Sequence, residues 1–256
     1  MKNIVKILLV TCICCGCEYL PERLTEKEVV DGLKLALKIG AEEATVEAKA
    51  PNGFWDNKTL PEIRIPLPND VQNVVEAFKE VQVPPLLIYL IPALDIDKLV
   101  SDFVKAMNTA ASKAAEGALP IFVDAILGMS ISDGFKILND GGTAATDYLR
   151  EKTTDDLRTA FFVVVEKVME DVPVTEYWDD LRDSYNGALS AAKVIPFVSG
   201  YFSNVSEIEE QNFEMYITER AIDGLMKLIE VQELKIRDNP FGRGSDLLEK
   251  VFGKRN

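Results

Sequence analysis

The chain has 256 residues with 47% hydrophobic and 27% charged content, which suits a globular body and argues against disorder along most of its length. Its net charge is −14, and no Lys/Arg-rich run offers a local exception, so nucleic acid is excluded as a partner. There is no histidine. That absence removes Ser-His-Asp and Cys-His nucleophile systems, HExxH sites and His-ligated metals, and leaves carboxylates, Lys or Tyr for any acid-base role.

The chain opens on a basic stretch, MKNIVK, followed by the apolar residues 7–13, ILLVTCI. Seven residues are too few to cross about 30 Å of hydrocarbon, which takes about 20. The pattern is that of an export signal. Gly16 and Cys17 follow, and a small residue before a cysteine resembles the lipobox of bacterial lipoproteins. The expectation is cleavage after Gly16, lipid on Cys17, and a short tether over 17–24. The alternative is an ordinary cleaved leader that releases the body. Losing residues 1–16, which carry Lys2 and Lys6 and no acid, leaves a net charge of −16. All four cysteines, Cys12, Cys14, Cys15 and Cys17, lie in this region, so no disulfide framework and no cysteine-based metal site is expected in the body.

From residue 25 onward the pattern is helix after helix. Thr25-Glu26-Lys27-Glu28 is a capping box, and Val29, Val30, Leu33, Ala36 and Leu37 form the stripe behind it. Residues 51–68, PNGFWDNKTLPEIRIPLP, break the pattern with four prolines. They are read as an ordered loop with room for one short extended segment. Asn69 or Asp70 caps a helix with Val71, Val74, Val75, Phe78 and Val81 on one face. The run from Pro84 to Pro92 is intensely apolar, and burial between helices is its expected fate.

A further helix from Asp97 carries Leu99, Val100, Phe103, Val104 and Met107, and leads into Ala110, Ala111, Ala114 and Ala115, where small side chains allow a close crossing. Pro120 is expected to open the next helix and Gly128 to close it. Ser130 or Ser132 caps a short helix to Leu138, and Thr153 or Thr154 caps a longer one bearing Leu157, Phe161, Val165, Val168 and Val172. Residues 176–188 are another helical candidate, and 189–206 read as a surface excursion around Pro196. The longest helix is expected over about 208–237, with Phe213, Ile217, Ala221, Leu225, Leu228 and Ile229 buried, and a last short one over 245–252. The fold class is therefore all-α: a single compact multi-helix domain over 25–253.

Three stretches carry a family resemblance: GLKLALKIGAEEAT at 32–45 with NGFWDN and IRIPLP after it, FVDAILGMSISDGFKILNDGGTAATDYLREKT at 122–153, and DGLMKLIEVQELKIRDNPFGRGSDLLEKVFG at 223–253. In this order they resemble the bacterial family termed domain of unknown function 4197. The resemblance spans nearly all of 25–253. It implies an exported, mostly helical protein, often a lipoprotein, and supplies no catalytic residues.

The strongest candidate site is Asn139, Asp140, Gly141, Gly142, Thr143, Thr146, Asp147 and Arg150. Asn139 and Asp140 can end one helix, Gly141 or Gly142 can take a positive φ, and Thr143 can cap the next helix. Thr143, Asp147 and Arg150 then share a face, and free amides with Arg150 could hold a small anion or a peptide carboxylate. The structural reading of the same residues is a tight turn with a local Asp147–Arg150 pair. Asp124, Asp133, Asp140 and Asp147 surround the turn, and two converging carboxylates would permit glycoside hydrolysis without histidine. Arg237 and Arg243 are expected to pair with internal acids. The leading reading is a non-enzymatic binding or structural envelope protein, held to a membrane by lipid on Cys17 and facing the periplasm or cell exterior. Its partner would be a small ligand, a peptide or an envelope protein. No cofactor and no metal are expected. The alternative is a carboxylate-dependent envelope hydrolase.

Overall fold

The computed structural model describes residues 25–69, 71–72, 75–76, 96–170, 182–183, 186–187, 189–196, 199–203, 206–207 and 212–239. The leader and tether at 1–24, the apolar run from Pro84 to Pro92, most of the 176–188 candidate, Arg243 and the 245–252 helix lie outside them. The described residues are all-α: they contain no strand. No single helix among them is long and apolar enough to cross a membrane.

Helix α1 spans Glu26–Lys49 and opens with the capping box read from the sequence: the Thr25 hydroxyl accepts from the Glu28 amide, and the Glu28 carboxylate accepts from the Thr25 amide. Val30, Leu33, Ala36 and Leu37 are buried as the spacing requires. The Pro-rich loop follows, with one 3-10 turn at Pro61–Ile63. Its extended part pairs with a side chain instead of a strand. The amide of Ile65 donates to Asn108 Oδ1 and its carbonyl accepts from Asn108 Nδ2, both at 2.8 Å. Pro66 and Pro68 lack the N–H that an edge would offer to another chain. Residues 69, 71, 72, 75 and 76 are helical, with Val71 and Val75 buried.

Helix α2, Ile96–Ala114, passes through a 3-10 turn at Ala115–Gly117 into α3, Ala118–Leu127. Pro120 is the third residue of α3, not the first as expected. It is tolerated there because the amides of a first turn have no intrahelical acceptor. Helix α4, Ile131–Asp140, starts on Ser130 in a capping box with Asp133, which settles the choice between Ser130 and Ser132. Helix α5 runs unbroken over Ala144–Glu170. Thr153 and Thr154 therefore start no helix. Their hydroxyls donate to the carbonyls of Leu149 and Arg150, four residues back, which satisfies them in mid-helix. The 189–206 stretch also differs from expectation: 189–194 are helical, with Leu189 and Ala192 buried, and a 3-10 turn occupies Ser199–Phe202.

Helix α6, Phe213–Asp238, is the central element. It packs along α5 on one side and α1 on the other, and also meets α2. Such a helix must be apolar on more than one face. Accordingly Ile222 and Met226 are buried alongside Ile217, Ala221, Leu225, Leu228 and Ile229. Phe213 meets Phe103 of α2 edge to face, with ring centroids 4.8 Å apart. The main core is continuous from Leu33 of α1 to Ile229 of α6, and a small second cluster joins Ala36 to Ile236.

Candidate functional site

The turn between α4 and α5 is made by glycine conformation. Gly141 and Gly142 have φ of +66° and +53°, the left-handed region where a side chain is strained. The turn and the facing sides of α4 and α5 enclose an open cleft of about 630 Å³. Asp140, Gly141, Gly142, Thr143 and Asp147 of the expected set line it, together with Asp133, Lys136, Tyr148, Glu151 and Lys152. Asn139, Thr146 and Arg150 do not.

For Thr146 and Arg150 the reason lies in α6. Glu233 is a buried acid, 6% exposed, and its carboxylate reaches across to the start of α5. It accepts from the amides of Ala145 at 3.1 Å and Thr146 at 2.8 Å, and from the Thr146 hydroxyl at 2.8 Å. Arg237, one turn on, donates to the same carboxylate from Nε at 3.0 Å and Nη2 at 2.6 Å. Arg237 Nη2 also donates to the carbonyl of Ile137 at 3.4 Å, near the end of α4. The end of α4, the start of α5 and the last turns of α6 are thus joined by one network.

This corrects three expectations. The α5 amides are not free for an external anion, because the chain's own carboxylate occupies the position where the helix dipole favours negative charge. Thr143 does not cap them either; its hydroxyl donates to Asp147 at 3.4 Å. Arg150 also turns away from the cleft and pairs with Asp223 of α6 at 2.9 Å, so the local Asp147–Arg150 pair is replaced by an interhelical one. The expected internal pairing of Arg237 is met by Glu233.

What remains in the cleft is acidic: Asp133, Asp140, Asp147 and Glu151 against Lys136 and Lys152. Hydrogen bonds from the Ser130 hydroxyl and amide hold the Asp133 carboxyl below its ordinary value. The Glu151 carboxyl is lowered by the hydrogen bond and charge of Lys152, whose own pKa is raised by the same partner. Burial pushes the Tyr148 phenol up, and the nearby Asp133 charge adds to this. Tyr148 donates to the carbonyl of Ala125 at 3.3 Å. Asp133 and Glu151 are thus both moved toward the charged form. Asp124 is exposed and does not line the cleft. Among the described residues no group of three or more Asp and Glu is placed to hold a metal ion.

Glu233 is the residue that sequence reasoning passed over. Its signal is an acid between buried Gln232 and exposed Leu234 on an otherwise apolar face, four residues before an arginine. Lys136, Tyr148, Glu151 and Lys152 were also not singled out; their spacing from Asp133 and Asp147 along α4 and α5 is what brings them to the cleft.

Fold and site together define, over the described residues, an all-helical body with an open polar cleft at a helix-helix turn. The chain belongs to the family described as Protein of unknown function (DUF4197), whose model matches residues 23–253. No curated protein and no solved structure matches the chain.

Proposed function

We propose that this is a lipid-anchored envelope protein, tethered through Cys17, whose helical body binds a partner and performs no catalysis. The observation that carries the binding reading is the state of the α4–α5 turn. The groups that could polarise a substrate there, two helix-start amides and the Thr146 hydroxyl, are consumed by Glu233. The cleft in front of them offers four carboxylates and two lysines. Its surplus of negative charge selects a ligand bearing ammonium or guanidinium groups, whether a small molecule, a peptide or a basic face of an envelope protein. Anchoring is supported by the basic start, the short apolar stretch and the Gly16-Cys17 pair. Several acyl chains on one residue hold a protein firmly, at about 0.8 kcal/mol per buried CH₂.

The test uses the full chain expressed in a bacterial host. Intact mass of the membrane-extracted product should show loss of residues 1–16 and acyl chains on Cys17, and Cys17→Ser should abolish both the acylation and membrane retention. An unmodified amino terminus would remove the anchor. Calorimetric titration with a tetralysine peptide should give saturable binding that Asp140→Asn/Asp147→Asn weakens. Equal binding by the variant would remove the cleft from the reading.

A further inference from the structure

A second cleft, of about 490 Å³, lies between the Pro-rich loop and the outer face of α6. Its loop wall includes Glu62 and Arg64, and its helix wall presents Tyr216, Arg220, Asp223 and Lys227. Positions 216, 220, 223 and 227 repeat at spacings of four and three, hence on one face of α6. Gly224 lies within that face, and its missing side chain lets the loop come close: a Cβ there would stand 2.6 Å from Phe54 Cε1. Tyr216 donates to the carbonyl of Pro66 at 3.0 Å and ties the two walls together.

The cations of this cleft differ from the other arginines. Arg150, Arg158, Arg182 and Arg237 each pair with a carboxylate. The remaining described arginines, Arg64 and Arg220, pair with none among the described residues, although the chain holds 42 acids against 28 bases. Both line this cleft, and Lys227, also without a carboxylate partner there, joins them. Each guanidinium is instead laid over an aromatic ring: Arg64 sits 3.7 Å from the Trp55 centroid, and Arg220 sits 5.4 Å from that of Tyr216. A contact with a ring face uses none of the N–H groups in a hydrogen bond to an oxygen acceptor, so these donors remain for another acceptor. Asp223 is offset by Arg150, and Glu62 cancels one of the three cations. The cleft therefore carries a surplus of about two positive charges.

We infer that this cleft is a binding site for a dianionic oxyanion of the phosphate-monoester class, held between Arg64 and Arg220 with Lys227 completing the charge. Guanidinium forks on the two walls of one cleft offer N–H donors to the several oxygens of a phosphate, and an ammonium adds a point charge. The site is independent of the α4–α5 cleft and has the opposite sign.

The test is a titration of the full chain with inorganic phosphate in low-salt buffer, read by NMR of the arginine Nε–H signals. Saturable shifts of Arg64 and Arg220 are expected, weakening as salt is raised. Arg64→Met/Arg220→Met removes both guanidinium groups while keeping an unbranched apolar side chain, and should raise the dissociation constant at least about tenfold. Lys58→Met, outside the cleft, should leave it unchanged. Because the double variant could unfold, its melting curve is compared with the parent's, and Lys227→Met is titrated in parallel with an expected weakening. Vesicles containing phosphatidic acid separate the sources. Arginine-dependent retention on them indicates a lipid headgroup, and phosphate binding without retention indicates a soluble monoester. The inference is overturned by the absence of saturable shifts, or by equal affinity in the folded double variant.

Discussion

Replacing Glu233 by Ala removes the acceptor of five hydrogen bonds: two from the start of α5, one from the Thr146 hydroxyl and two from Arg237. Water cannot readily substitute, because Ala145 and Thr146 are buried at 1% and 3% exposure, and the Arg237 side chain is only 16% exposed. Breaking a buried pair by removing one partner costs about 3–5 kcal/mol. A domain of this size loses about 2–4 °C of melting temperature per kcal/mol, so Glu233→Ala should melt roughly 6–20 °C below the parent. Glu233→Gln keeps an oxygen acceptor and loses the charge that the helix start and Arg237 favour, so it should cost less, about 2 kcal/mol. Thermal unfolding followed by circular dichroism reads both variants. A double-mutant cycle with Arg237→Ala should return a coupling of about 1 kcal/mol or more. A Glu233→Ala melt within about 1 kcal/mol of the parent would refute the claim that this carboxylate joins α4, α5 and α6.

Asn108→Leu should destabilise by about 3 kcal/mol in urea unfolding, with the slope unchanged, because it strands both backbone groups of buried Ile65. A loss below 1 kcal/mol would mean that the loop holds itself. Gly224→Ala should cost about 1–3 kcal/mol by overpacking against Phe54, and Phe54→Leu in the same chain should recover part of it. For the cleft, ultraviolet titration should show Tyr148 ionising above pH 10, and Tyr148→Phe should remove that late step. The sign follows from the raised pKa: the stability linked to Tyr148 is complete below the unfolded value of about 10 and is lost as pH rises through the folded one. Asp133 and Glu151 run the other way. Their folded values are depressed, so their contribution is present above the ordinary carboxylate range and is lost as pH falls through the lowered values.

Local patterns were legible where the cause is local. The Thr25–Glu28 box, the buried faces of α1, α2, α5 and α6, and the glycine turn at 141–142 all follow from spacing and backbone preference within a few residues. Thr153 and Thr154 misled because a threonine before an apolar run looks like a cap, yet the same hydroxyl is satisfied equally well by the carbonyl four residues back. The site was half legible for a different reason. Asp140, Thr143 and Asp147 reach the cleft by helical spacing, whereas the fates of Thr146 and Arg150 depend on Glu233 and Asp223, more than 70 positions away. Contacts of that range leave no periodic trace. Arg64 and Arg220 show the same limit, since their nearness is created by a loop folding back on α6.

Amide hydrogen exchange at Ala145 and Thr146 measures the central point most directly. If Glu233 already occupies the start of α5, both amides exchange slowly in the unliganded protein, and Glu233→Ala speeds them. Fast exchange in the parent that phosphate suppresses would mean that the helix start is an open anion site after all.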